Sequence, residues 1–261
     1  MTSVKLTSAK NPFLESVRRA ARAGRPMEDG SLAIEGPHLV AEAIGADCRI
    51  RRIVTTAAGR ERYAHLLRRS EAPITEVSAR AFAATASTER AQEILALVDW
   101  HAATWSKLAK SRALIVALDG VQDPGNAGTI VRSAEAFGAS GLVLLEGSVR
   151  VANGKFLRAT AGSIFRLPML ECVSRAEFLD HTRSLGLVLY ALSAQSGTFL
   201  ADADLRSPCA VVVGSEGSGV SAELLGAARA VSIPARKVES LNAAVACSVA
   251  LFEAARQRES Q

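Results

Sequence analysis

The sequence predicts an α/β fold in two parts. Apolar runs of strand length alternate with helix-length amphipathic stretches along the whole chain, the pattern of helices packed on a sheet. One run, residues 113–118, is apolar without interruption, as a strand buried on both faces of a parallel sheet must be. The 261 residues are 49% hydrophobic and 22% charged, which gives one or two domains their own cores and excludes a disordered or fibrous chain. No apolar stretch reaches the roughly 18 residues of a membrane span; the longest, residues 243–252, carries Cys247 and Ser248 and stops at Glu253.

Asn11 and Pro12 open a helix that runs to about Ala23, with Arg18, Arg19 and Arg22 on its polar face, and Gly24, Arg25 and Pro26 end it. A strand at 32–34, a helix at 39–44, a strand at 50–55, a helix at 61–69, a strand at 74–77, a helix from Ser78 and a strand at 94–98 follow. The polar, lysine-containing stretch 99–112 reads as a linker. The second part has strands at 113–118, 142–145, 167–170, 187–191, 210–213 and 230–233. Its last helix begins near Ser240 and carries Leu241, Val245, Val249 and Phe252 as one stripe, which is expected to pack on the sheet. The predicted domains are therefore 1–98 and 113–261, joined by 99–112.

Cys48, Cys172, Cys209 and Cys247 lie far apart without a C-x-x-C pair, and the four histidines do not cluster with them. No metal site or disulfide framework is expected; small buried hydrophobes in a reducing cytoplasm fit better. The net charge is +5, and all of it sits in residues 1–26, where Lys5, Lys10, Arg18, Arg19, Arg22 and Arg25 face Glu15 alone. Such a segment can grip nucleic-acid phosphates. The same charge also fits an arginine-rich composition, with 25 arginines to six lysines, or a cleavable transit peptide.

Three motifs carry chemistry. In the first, the strand ending at Leu118 runs through Asp119, Gly120 and Asp123-Pro124-Gly125-Asn126 into a helix bearing Gly128 and Arg132, a strand–loop–helix turn that offers free N–H groups to a ligand. Asn126 and Arg132, six apart, could project from the same end of that element. In the second, Val213 feeds Gly214-Ser215-Glu216-Gly217-Ser218-Gly219, where missing Cβ atoms let a flat ligand approach the backbone and Glu216 would repel a phosphate. Its order is G-x-x-G-x-G, which speaks against a nicotinamide dinucleotide. In the third, Ile233-Pro234 precedes Ser240-Leu241-Asn242 at the start of the final helix, with Ser240 as the expected N-cap.

Together and in this order, Asn126, Gly128 and Arg132, then Gly214, Glu216 and Gly219, then Ile233, Pro234 and Ser240-Leu241-Asn242 resemble the SpoU branch of the SPOUT methyltransferases, the TrmH-like RNA ribose 2′-O-methyltransferases, over residues 114–258. The N-terminal half is similar to that family's L30e-like accessory module, at Thr7-Ser8-Ala9-Lys10-Asn11-Pro12 and Leu32-Ala33-Ile34-Glu35-Gly36. Because the similarity starts at about residue 5, no extension is expected to be left for a transit peptide.

The resemblance implies an N-terminal L30e-like α/β substrate-binding domain and a C-terminal SPOUT α/β-knot domain with a parallel sheet, its final segment threaded through a loop as a trefoil knot. Knots are nearly absent from proteins, so periodicity cannot reveal one. It further implies that S-adenosylmethionine rests largely on backbone groups at Gly214, Ile233 and Leu241, with Leu192 at the preceding strand end. The resemblance also implies a homodimer that forms through the knotted domain, with the region of the Leu241–Phe252 stripe at the interface, and active sites completed across it. Lys10, Arg18, Arg19, Arg22 and Arg25 are expected to bind RNA, ribosomal (23S-type) rather than transfer RNA, because the accessory module typically accompanies ribosomal targets. No DNA, membrane or metal partner is implied.

No histidine lies near the motifs. By resemblance Arg132 acts on the ribose 2′-OH, with Asn126, Ser240 and Asn242 orienting the hydroxyl and the nucleotide, and Glu216 holding its loop or offsetting the sulfonium charge. Arginine keeps its proton to above about pH 12, so the role expected is stabilisation of developing alkoxide charge while a phosphate or water takes the proton. Two departures concern the cofactor loop: Ala235-Arg236-Lys237 follow Pro234 with one residue fewer than is common, and Ala243-Ala244 stand where Val-Ser is usual. Two alternatives remain open, a non-catalytic RNA-binding relative, expected to have lost Arg132 or Asn126, and a nicotinamide-dependent α/β enzyme.

Overall fold

The computed structural model describes residues 4–6, 8, 10–88, 91–195 and 198–259; Thr7 and Ala9 of the N-terminal motif lie outside these. Two compact units emerge, one from the residues up to His101 together with Arg150–Phe165, the other from Ala102–Val149 and the residues from Arg166 onward.

The first unit contains β1 (Val4–Leu6), α1 (Pro12–Ala23), β2 (Ser31–Glu35), α2 (Pro37–Gly45), β3 (Ile50–Thr55), α3 (Ala57–Arg62), α4 (Ala64–Leu67), β4 (Ile74–Val77), α5 (Ala79–Thr85) and β5 (Ile94–Asp99). Asn11 caps α1 by accepting from Phe13 N, Pro12 follows at the first helical turn, and Gly24 closes the helix in the left-handed region at φ 59°. The expected helix at 61–69 is instead the pair α3 and α4, broken at Tyr63, and β1 is an extra edge strand. The sheet runs β1-β4-β3-β5-β2; β1, β4 and β3 are parallel, while β5 lies antiparallel to both β3 and β2. Leu14 and Val17 of α1 are buried among Val54, Val77, Phe82, Leu95 and Leu97, so the basic helix is part of this core and turns only its polar side outward.

The second unit begins before the expected boundary. A short α6 (Trp105–Leu108) lies within the stretch read as a linker, yet Leu108 is fully buried, Trp105 stacks on His181 at 4.4 Å, and Ala103 N donates to Met169 O at 2.7 Å. Then come β6 (Leu114–Asp119), α7 (Pro124–Ala136) and β7 (Gly141–Leu145). The next helix, α8 (Gly154–Ala159), falls inside the segment that packs with the first unit. The chain returns as β8 (Met169–Val173), α9 (Arg175–Ser184), β9 (Val188–Leu192), β10 (Cys209–Gly214), α10 (Ala222–Ala227), β11 (Arg229–Val231) and α11 (Ala243–Glu259). All six strands are parallel in the order β11-β9-β10-β6-β7-β8, and β6 and β7 are buried at every position.

The segment just beyond β11 is bonded on two sides. Ser193 N donates to Val231 O from one side, while Ser232 N donates to Thr198 O (2.8 Å) and Leu200 N to Ser232 O (2.8 Å) on the other. Residues 231–232 are thus bonded on both sides by residues that follow β9, the region where the expected knot would cross. The chain then passes to α11, which starts at Ala243 rather than near Ser240.

α11 corrects a second expectation. Its buried residues include Ala243, Ala244, Cys247, Ala250, Leu251 and Ala254, whereas Val245, Val249 and Phe252 are 49%, 38% and 55% exposed. Small alanines let the helix lie close against α7 and β10, and the bulky stripe faces the other way. Cys172 is likewise exposed, at φ 58°, where a buried small hydrophobe was expected; Cys209 and Cys247 are buried and Cys48 half-buried.

Candidate active site

The carboxyl ends of parallel strands are where α/β sheets bind ligands, and the three motifs meet there. Asp119, the last residue of β6, is 2% exposed. Its Oδ1 accepts from Arg175 Nε (2.8 Å) and its Oδ2 from Ser221 N (2.7 Å), so one buried carboxylate ties the start of α9 and the end of the second motif's loop to β6. Gly120 then turns the chain at φ 69°, and Asp123 caps α7 by accepting from Asn126 N at 2.7 Å.

With the cap supplied by Asp123, the Asn126 side chain is released for other work. Its Nδ2 donates to Glu216 Oε1 (2.6 Å), and its Oδ1 accepts from Asn242 Nδ2 (3.0 Å), which also donates to Glu216 Oε1 (3.0 Å). One residue from each motif thus forms a closed triangle. Asn242 does more than expected: its Oδ1 accepts from Ala244 N (2.9 Å) and Val245 N (3.3 Å), so Asn242 caps α11 and Ser240 does not.

Arg132 does not join the triangle. Six helical residues set it about 9 Å along the α7 axis and roughly 120° around from Asn126, so the two do not share a face. The guanidinium is exposed and has no side-chain partner among the described residues. Ser240 is exposed as well, in the segment 234–240 that precedes α11.

Leu192 ends β9, Gly214 ends β10 and Ile233 follows β11, side by side at one edge of the sheet; with Leu241, all four are half-buried. Gly214 has a strict reason to be glycine. A Cβ there would overlap the Gly219 and Val220 backbone, because the loop folds back through the Ser215–Gly219 bridge onto the strand end. The edge therefore sets the apolar side chains of Leu192 and Ile233 beside the glycine end of β10. Carboxylate rather than lysine or arginine stands in the loop, which suits a sulfonium and not a phosphate.

In the first unit Lys10, Arg19, Arg22 and Arg25 are exposed and Arg18 half-exposed; Arg19 makes a loose pair with Glu28 at 3.6 Å across two exposed side chains.

Residues 113–252 match the SpoU rRNA methylase family, and residues 18–96 match the MRM3-like substrate-binding domain. The chain belongs to the SpoU rRNA methylase family. It is 34% identical, over 97% of its length and 94% of the relative's, to an uncharacterized tRNA/rRNA methyltransferase of Synechocystis sp. (strain ATCC 27184 / PCC 6803 / Kazusa). It is 31% identical to 23S rRNA (guanosine(2553)-2′-O)-methyltransferase RlmP of Bacillus subtilis (strain 168), over 95% and 97% of the two chains. The crystal structure of an AdoMet-bound rRNA methyltransferase from Sinorhizobium meliloti superposes with a TM-score of 0.85 at 28% identity, covering 97% and 98%. This SpoU family member is thus an S-adenosylmethionine-dependent RNA 2′-O-methyltransferase with a SPOUT fold and an N-terminal substrate-binding domain. The nicotinamide reading is overturned.

Sequence reasoning passed over Asp119 as a site residue. Its signal was present: it is the one charge closing an otherwise apolar strand. A buried carboxylate in such a place needs donors, and of the two it finds Ser221 N anchors the loop that carries Glu216 while Arg175 anchors the start of α9.

Proposed function

We propose that this chain methylates a ribose 2′-OH of 23S-type ribosomal RNA, as a cytoplasmic homodimer. The observation that carries the catalytic reading is the Asn126–Glu216–Asn242 triangle, which draws one side chain from each motif to one point. S-adenosylmethionine, when bound, supplies an electrophilic methyl on sulfur. Gly214, Ile233, Leu241 and Leu192 hold it through main-chain groups and apolar contact. Glu216 fixes both amides and sets a negative charge against the sulfonium. Asn126, Asn242 and Ser240 orient the ribose, and Arg132 stabilises the developing alkoxide while phosphate or water accepts the proton.

The dimer rests on the exposed face of α11. Val245, Val249 and Phe252, with Thr129 of α7 and Phe137 just after it, line an apolar groove of about 300 Å³, and Phe137 meets Phe252 edge-on at 5.9 Å. A second copy of this chain is the occupant that suits it, since an apolar patch applied to its own symmetry mate buries both. Arg132 lies one turn beyond Thr129 on the same helix, next to that face and apart from its own triangle. This supports a site completed across the interface, with Arg132 of one protomer serving the partner's triangle. Lys10, Arg18, Arg19, Arg22 and Arg25 grip RNA phosphates. Four free cysteines suit a reducing cytoplasm.

Mapping 2′-O-methyl groups in total RNA with and without the gene tests the reading. Loss of one 23S rRNA site is the expected result. Loss only from transfer RNA overturns the substrate, and no loss anywhere overturns the function.

A further inference from the structure

The first unit contains a basic cleft that none of the motifs foretold. Its volume is about 540 Å³, the size of a nucleotide-scale site, and it lies between the last turn of α1, the residues after α5 and the helix α8. Arg22, Lys155 and Arg158 line it, with Ser87 and Thr88 beside them, and among the described residues no lining side chain is acidic. Arg22 and the other two cations are some 130 positions apart in sequence and meet only because Arg150–Phe165 packs into this unit.

The cleft is held open by construction. The Glu35 carboxylate, 6% exposed, accepts from Ser87 N (2.8 Å), Ser87 Oγ (2.8 Å) and Thr88 Oγ1, which fixes the wall after α5. Ser87 Oγ in turn accepts from Arg158 Nη1 at 3.3 Å, so the guanidinium is steered along that wall. Residue 154 is glycine, and a Cβ there would come within 3.3 Å of both Ser87 Oγ and Arg158 Nη1. Any larger side chain enters the cleft. Alanines 21, 83 and 86 supply the apolar part of the lining.

Three cations along one cleft, with the small side chains of Ala21, Ala83 and Ala86 leaving space between them, suit a ligand that carries repeated negative charge and a flat group. A sugar–phosphate backbone with an unpaired base answers that description. We propose that this cleft binds an unpaired stretch of the substrate RNA, with Arg22, Lys155 and Arg158 on successive phosphates. Continuity with the exposed arginines of α1 favours a polymer over a free nucleotide. The inference rests on the RNA-methylating function and adds Lys155 and Arg158, from the methyltransferase half of the sequence, to the residues that choose the substrate.

The test uses the full chain, a fluorescent oligouridylate as probe, and titrations over a range of salt. Each phosphate contact to a single strand contributes about 0.7 to the slope of log K against log salt, so the Lys155→Ala/Arg158→Ala double variant is expected to lower it by about 1.4. Gly154→Leu keeps every charge and is expected to weaken binding about 10-fold by filling the space. With ribosomal RNA from a strain lacking the gene, both variants raise KM while kcat stays within about twofold, as a loss of uniform binding does. Calorimetric affinity for S-adenosylmethionine stays unchanged. An unaltered slope in the double variant overturns the cleft, and so does full displacement of the probe by equimolar UMP, which would make the site one for free nucleotides. A wild-type chain that transfers no methyl overturns the proposed function instead, and the oligouridylate slope then decides the cleft alone.

Discussion

Asn242 serves two ends at once. Its carbonyl oxygen caps α11 while its amide bridges Asn126 and Glu216, so the helix start and the site are fixed by one side chain. Arg132 is the opposite case, an exposed guanidinium without a side-chain partner among the described residues; in the role we propose for it, it meets a charge that forms only during reaction. Arg132→Ala is expected to lower the single-turnover methylation rate by about 10²–10³-fold and leave calorimetric cofactor affinity intact; more than about a tenth of the wild-type rate removes it from catalysis. The buried thiols make a separate prediction. Burial pushes Cys247 up to about 12 and Cys209 to about 11, while in the unfolded chain both ionise at about 8.5. Above that pH the unfolded chain sheds protons the folded chain retains, so the thiols' contribution to stability is present below about pH 8.5 and is lost as pH rises toward their folded values. Urea midpoints are expected to fall across this alkaline range, and Cys247→Ala to flatten the fall. An unchanged pH slope in that variant would refute the assignment.

Among the elements, α11 turns alanines inward and its large apolar residues outward. A charge at Phe252, 55% exposed, therefore has no folded core to disrupt within the protomer. Phe252→Glu is expected to sediment as a monomer with an unaltered circular dichroism spectrum and little methyl transfer; a persistent dimer would move the interface elsewhere. α1 calls for milder treatment. Leu14 and Val17 are core residues, so removing the helix would unfold the unit rather than report on charge. Arg18, Arg19 and Arg25 changed together to Ser keep the fold and are expected to flatten the salt dependence of RNA binding by about 0.7 for each phosphate they neutralise in the wild type. An unchanged slope would mean that this charge is compositional.

For the molecule as a whole, the separation of Arg132 from the triangle has a consequence that a mixture can expose. If each site takes its arginine from the partner, Arg132→Ala and Asn126→Ala are each inactive alone, and one heterodimer site regains both groups. Equal mixing and re-equilibration is expected to restore about a quarter of the wild-type rate, because half the dimers then carry one whole site. No recovery, with subunit exchange verified by mass, would show that each protomer acts alone.

The alternation of strands and helices, the buried parallel strands, the three motifs and the family were all legible in the chain of residues, because they rest on local periodicity and on residue types at fixed spacing. Asn11-Pro12, Gly24 and the apolar run to Leu118 were readable for the same reason. Packing settled the rest. Which face of α11 is buried depends on how near α7 and β10 approach it, and alanines win a close approach that a tally of hydrophobes overlooks. Whether Ser240 or Asn242 caps α11 turns on where the helix starts, which shifts by two or three residues with its packing. The placement of Arg150–Phe165 with the first unit, and so the meeting of Arg22 with Lys155 and Arg158, joins positions far apart in the chain. Periodicity is a local signal, and the meeting of distant segments leaves no trace in it.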